Sequence, residues 1–236
     1  MKTFKQLHSD CRNKKQYVDF LNFHGSHAHD NVNESKLSKL DGANNDHLGD
    51  NLNDQQDKLH ELHPLESSGR TRDAVTHYIN RSTPLNKKII KAHNDGAETP
   101  KSVGNLEVKH LDNTFQKSKK KFSSYSGTNF DVRDTKPAGK SKEGNTVYHS
   151  PAYLSASIDK NTAKNFAQKK KVNDTHHILH IHTEKNDPIT VIGKHGYSNE
   201  KEVLHPRNSY YEHLGTTTDG KFTTHHLRRI DKSKIK

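Results

Sequence analysis

The sequence has no tryptophan, one cysteine and one methionine in 236 residues, and only 28% of it is hydrophobic. The lone Cys11 excludes an intramolecular disulfide framework and fits a reducing compartment. No apolar run approaches the roughly 20 residues that a membrane-spanning helix needs, and no apolar leader stretch follows Met1. A soluble, cytoplasmic protein without membrane contact is therefore expected. Even with glycine counted, the apolar share stays well below the roughly 45–50% of an average globular domain, so part of the chain should lie outside any core. Eight tyrosines and eight phenylalanines still support one modest core.

Acidic residues are outnumbered. Thirty-nine Lys and Arg against 28 Asp and Glu leave a net charge of +11, and the pI is near 9.5. Such a balance favours encounter with polyanions and says little about fold. It fits a nucleic-acid binder, and equally an enzyme whose target complex is polyanionic. The runs Lys119-Lys120-Lys121 and Lys169-Lys170-Lys171 carry no aromatic stacking pattern, so nucleic-acid contact is a secondary reading. Of the 20 histidines, His180 and His182 fall on one strand face, and His24, His27 and His29 lie near Asp30. Neither group has a third ligand or cysteine placed by spacing, and no metal is expected.

Residues 24–60 are dominated by Asn, Asp, His, Ser and Gly, after a short helical pattern within 1–22. Residues 1–61 therefore read as a polar, partly disordered extension, and 62–236 as the folded domain. Apolar residues from Ala74 to Ile90 predict two helices broken around Ser82-Thr83-Pro84, and Leu106 to Phe115 a third. Strand patterns follow at Phe122–Gly127, Tyr153–Ile158, His177–His182, Ile189–Ile192, Glu202–Leu204, Asn208–His213 and Thr223–Ile230. A helix over 161–169 interrupts them, and residues 133–146 form a Lys/Gly-rich loop. The class is α+β, with a mainly antiparallel sheet.

Ser198-Asn199-Glu200-Lys201-Glu202-Val203-Leu204 is the stretch richest in chemistry. On an extended strand Glu200 and Glu202 would project from one face, where like charges oppose each other unless they are solvated or a cation lies between them. This block resembles the Glu-x-Glu block of the mono-ADP-ribosyltransferase superfamily, in its arginine-modifying branch. Tyr153-Leu154-Ser155-Ala156-Ser157, followed by Ala163 and Phe166-Ala167, is similar to that family's Ser-Thr-Ser strand and adjoining helix. Ala74-Val75-Thr76-His77-Tyr78-Ile79 with Pro84-Leu85-Asn86 resembles its N-terminal helices. The likeness runs from about residue 70 to the end, and phage-encoded members that modify host proteins are the nearest in style.

The resemblance implies N-terminal helices followed by two packed, mainly antiparallel sheets around an NAD cleft, with NAD as substrate. It implies that Glu202 is the catalytic carboxylate, Glu200 the acceptor-side acid and Ser155 the group that orients Glu202. Ser157 and Phe166 would adjoin the cofactor. Tyr125-Ser126-Gly127-Thr128 matches the family's Tyr-Arg-Gly strand but carries Ser126 where the arginine usually stands. Arg133 is the expected substitute for phosphate, because a guanidinium binds phosphate bidentately. Partners implied are NAD and proteins with an accessible arginine, host RNA polymerase or ribosomal proteins among them. The alternatives are NAD glycohydrolysis at the same site and a non-catalytic basic module that grips nucleic acid or nucleoprotein.

Overall fold

A computed structural model describes residues 45–65, 69–97, 105–169, 175–193 and 200–236. Asn51, extended and just ahead of helix α1 (Leu52–Leu62), accepts hydrogen bonds from the amides of Asn53 and Asp54 and so starts the helix. Leu59 of α1 is fully buried beside Leu48, Phe122, Ile189, Val191 and Val203. Upstream, the Asn45 side chain donates to the Ser123 carbonyl (3.0 Å) and accepts from the Ser123 amide (2.8 Å), as a neighbouring strand would. The folded unit thus includes residues assigned by composition to the polar extension, and the boundary expected at residue 62 falls at the end of α1. Burial here rests on Leu48 and Leu59 with Gln55 and Gln56, too few apolar residues to register as a helical stripe. The helix expected within 1–22 and the His24, His27 and His29 group lie outside the described residues.

Helix α2 (Gly69–Asn94) is interrupted at Arg81, with φ −139° and ψ 24°. Pro84 excludes a regular turn before it, because its ring meets the carbonyl four residues back. The break falls beside the expected one. Helix α3 (Asn105–Asp112) ends three residues before Phe115, where the pattern had suggested it would continue. Both helices pack Val75, Tyr78, Leu85, Ile89, Val108 and Leu111 against Tyr153, Ile192 and Leu204. Tyr153 ties this layer to the sheet: its hydroxyl donates to Asp112 (2.6 Å), and its carbonyl accepts from Asn86 (3.1 Å).

Ten strands follow: β1 (Gln116–Lys117), β2 (Phe122–Thr128), β3 (Gly139–Lys140), β4 (Thr146–Ser150), β5 (Leu154–Ser157), β6 (His176–Thr183), β7 (Pro188–Val191), β8 (Glu202–His205), β9 (Ser209–Asp219) and β10 (Phe222–Ile230). Helix α4 (Lys160–Lys169) connects β5 to β6. The strand order is β1-β7-β8-β5-β2-β6-β10-β9-β4-β3, and every pair is antiparallel except β6 with β10. The two sheets expected from the sequence are thus joined into one. Their junction is narrow, a single register pair between Tyr125 of β2 and Ser157 of β5. Ala156 of β5 nonetheless packs with Leu179, Ile181, Tyr211 and Leu227 of the other half, so the halves face each other across a shared core. The 133–146 loop contains β3, which pairs with β4. No helix among the described residues is long and apolar enough to cross a membrane.

Gly127 sets how closely α4 lies on β2. A Cβ there would stand 2.2 Å from the Ala163 carbonyl oxygen and 2.6 Å from the Ala167 amide nitrogen, both backbone atoms that cannot swing away. Gly127→Ala should therefore destabilise the protein by about 1–3 kcal/mol, the usual range for overpacking. Gly69→Ala, which meets open space, should change stability by less than about 0.5 kcal/mol. Denaturant unfolding of the two variants checks this.

Candidate active site

Three adjacent strands, β8, β5 and β2, carry Glu202, Ser155, Ser157 and the stretch from Tyr125 to Thr128, while Glu200, Arg133 and Phe166 lie off them. Glu202 lies opposite Ser157, and Ser157 lies opposite Tyr125. Residues opposed on an antiparallel ladder share a face, as do residues two apart on one strand, so Ser155, Ser157 and Glu202 project to the same side. Ser155 is exposed, and its hydroxyl donates a short hydrogen bond to Glu202 Oε1. The alternate residues Ala156 and Val203 are buried in the two core layers. The face that carries Ser155 and Glu202 is itself partly core, because Leu204, opposite Ser155, is buried with Tyr153 and Ile192.

Glu200 reaches the site by a different route from the one its spacing implies. Strand β8 begins at Glu202; Glu200 sits in a turn, and Lys201 has φ +45°, the left-handed region. Alternation along a strand therefore does not place the two acids. The turn is pinned on both sides, because the Lys201 carbonyl accepts from the Ile158 amide (3.2 Å) and the Glu202 carbonyl accepts from the Ile192 amide (3.0 Å). Burial lifts the Glu202 carboxyl to about 7; the negative charge of Glu200 adds to the rise, and the Ser155 hydrogen bond works against it. Burial also raises Glu200, against which the nearby Lys169 ammonium acts.

The other expected residues divide. Ser157 is buried, and its hydroxyl accepts from the Asp159 amide (3.0 Å); Asp159 in turn holds the start of α4 through the Asn161 amide (2.9 Å). Tyr125 packs with the buried Ala163, Ala167 and Ile178. Gly127 lies beneath α4, and its missing side chain lets the helix pack closely. Ser126 is half-buried, and Thr128 is buried, its hydroxyl accepting from the Phe130 amide (3.3 Å). Arg133, expected to meet phosphate, is paired within its own turn. Its guanidinium forks onto both carboxylate oxygens of Asp131, which also faces His225 at 3.5 Å.

One cation escaped the sequence reading. Lys169, taken as a solvated charge, stands over the half-buried Phe166 ring at 5.3 Å, and its field reaches Glu200. Only its place at the end of α4 could have signalled this. A cavity of about 540 Å³ lined by His93, His149, Tyr210 and Arg229 includes none of these residues. The acids instead follow directly on residues 194–199, which lie outside the described ones.

Comparison with known proteins gives a matching family model and several similar folds. The model of the ADP-ribosyltransferase exoenzyme family aligns with residues 44–234. Among solved structures, the C3 exoenzyme of Clostridium limosum is similar, with TM-score 0.57 at 16% identity over 75% of this chain and 91% of that one. The Vis toxin of Vibrio splendidus has TM-score 0.54 at 14% identity, covering 93% of both chains. Exoenzyme S of Pseudomonas aeruginosa has TM-score 0.51 at 18% identity, over 68% of this chain and 74% of that one. No curated protein sequence matches.

Because Glu202 has a raised pKa, the folded state holds a proton there between the ordinary carboxylate value of 4.5 and about 7, which the unfolded chain has released. Its contribution to stability therefore falls as pH rises through that window. Glu202→Gln should gain stability relative to the parent between pH 5 and 8, and differ least near pH 4. Thermal unfolding across that range measures it; a constant difference would contradict the raised pKa.

Proposed function

The chain belongs to the ADP-ribosyltransferase exoenzyme family, whose members act on NAD, and we propose that this protein transfers ADP-ribose to arginine side chains of target proteins. The observation that carries the reading is the Ser155–Glu202 hydrogen bond with a second carboxylate, Glu200, beside it. In such a transfer the ribose–nicotinamide C–N bond breaks, its electron pair leaves with nicotinamide, and the ribose acquires oxocarbenium character. The Glu202 carboxylate stabilises that charge, and Ser155 fixes the carboxylate in place. Preorganised groups of this kind are worth about 2.7–4 kcal/mol each. The cationic nicotinamide ring of NAD favours the ionised form of Glu202 and so offsets part of its raised pKa.

A guanidinium is protonated and non-nucleophilic at neutral pH. Glu200 orients it and accepts the proton released when the arginine nitrogen bonds to ribose C1′. The products are ADP-ribosyl-arginine, nicotinamide and one proton. The Vis toxin, which shares the fold, has been solved in complex with agmatine, itself a guanidine. With Ser126 in the place of the family's arginine and Arg133 held by Asp131, Lys169 is our candidate for the NAD phosphates. The +11 charge favours targets within polyanionic assemblies, and we take host RNA polymerase and ribosomal proteins as the first to assay.

Incubation with labelled NAD and a bacterial lysate tests the proposal. The parent should label protein, and Glu202→Gln should lose about 10²–10³ in rate. Glu200→Gln should lose transfer to protein while still releasing nicotinamide. Equal labelling by Glu202→Gln would end the proposal. Nicotinamide release without labelling in the parent would identify water as the acceptor, and steeply salt-dependent nucleic-acid binding without any NAD effect would favour a binding module.

A further inference from the structure

A second cluster of chemistry lies on the parallel pair β6–β10, apart from the acids. His180 and His182 are two residues apart on β6, and the register sets His226 of β10 directly beside His180. All three are buried, at 3%, 5% and 0% exposure, and one ring nitrogen from each lies within 4.8 Å of the other two. Spacing alone reveals the pair on β6. The third member appears only once β10 returns parallel to it.

We propose that His180, His182 and His226 bind a divalent transition metal of the zinc class, as a structural site that clamps β6 to β10. Zinc–nitrogen bonds of about 2.0–2.1 Å on a tetrahedron put neighbouring nitrogens about 3.3–3.4 Å apart. Here His182 Nε2 and His226 Nδ1 are separated by 3.2 Å. Imidazole is a ligand suited to zinc, copper, nickel and cobalt. A histidine must present an unprotonated nitrogen to bind metal.

The surroundings support ligation. His226 Nε2 lies 3.0 Å from Thr217 Oγ1, and in the tautomer in which Nε2 donates to that hydroxyl, Nδ1 faces the cluster unprotonated. His180 Nε2 is 2.9 Å from Ser123 Oγ on β2. Lys160 and Arg228 are the cations whose fields reach these rings. Arg228 is already paired with Glu212 at 2.6 Å and with Glu143 at 3.2 Å, which limits its opposition to a bound cation. The Tyr125 ring lies 4.5 Å from that of His180, so a metal here also braces the strand behind the acids.

Titration of the chelator-stripped, full-length protein with Co(II) tests the site, with binding read from the visible spectrum. The expected result is a four-coordinate absorption band that saturates at one equivalent and is displaced by Zn(II). It should be lost in His182→Gln and in His226→Gln and kept in His177→Gln, a residue of a separate group with Asp131 and His225. Only the weak spectrum of six-coordinate cobalt, or a four-coordinate band that survives both substitutions, overturns the proposal. If neither variant folds, Thr217→Val decides. Affinity about 10–100-fold weaker supports the site, and unchanged affinity overturns it.

Discussion

The hydrogen bond from Ser155 to Glu202 joins two paired strands, each held in place by contacts of its own. On the β5 side, Tyr153 anchors the strand to α2 and α3 just before the serine, through Asp112 and Asn86. Just after it, Ser157 and Asp159 hand the chain to α4. On the β8 side, Ile192 and Ile158 hold the backbone on either side of Glu202. A carboxylate on a freely moving loop would lose the contact; here both partners sit on rigid elements, the arrangement that transition-state stabilisation requires.

The same enclosure creates a conflict. Removing Glu202 from water opposes its ionisation, and Glu200 opposes it further, while a single serine hydroxyl favours it. The outcome is a carboxyl whose pKa is raised from the ordinary carboxylate range to about 7. Fields of this kind discriminate between transition state and ground state better than a permanently solvated acid can. Lys169 has the opposite influence on Glu200 and keeps the pair from sharing one fate. Position 126 holds a serine where the family's strand pattern has an arginine, and in the proposed reading the handling of phosphate passes to Lys169 at the end of α4, whose charge also acts on Glu200.

Much of this was legible in the chain. The break before Pro84, the strands at β2, β5, β6, β7 and β10, and the helix after Asp159 follow from period and punctuation. The Ser155–Glu202 pairing followed from resemblance to a family pattern. The rest depends on long-range geometry. Asn45 shows its purpose only through the Ser123 backbone, and a polar helix with one fully buried leucine looks like linker. Glu200 and Glu202 seemed to share a strand because nothing in the residues foretells the left-handed Lys201 between them. The pairing of Arg133 with Asp131, two residues away, is likewise not signalled by the sequence pattern. The parallel return of β10 beside β6, invisible to local pattern, is what unites His226 with His180.

The pH dependence of nicotinamide release from NAD, measured for the parent and for Ser155→Ala, tests the central claim most directly. The account predicts a kcat/KM, which reports the free enzyme, that climbs with pH through a midpoint near 7 in the parent. In Ser155→Ala that midpoint should move upward, because the hydrogen bond favouring the ionised acid is gone. A parent midpoint near the ordinary carboxylate value, or one indifferent to the serine, would contradict it.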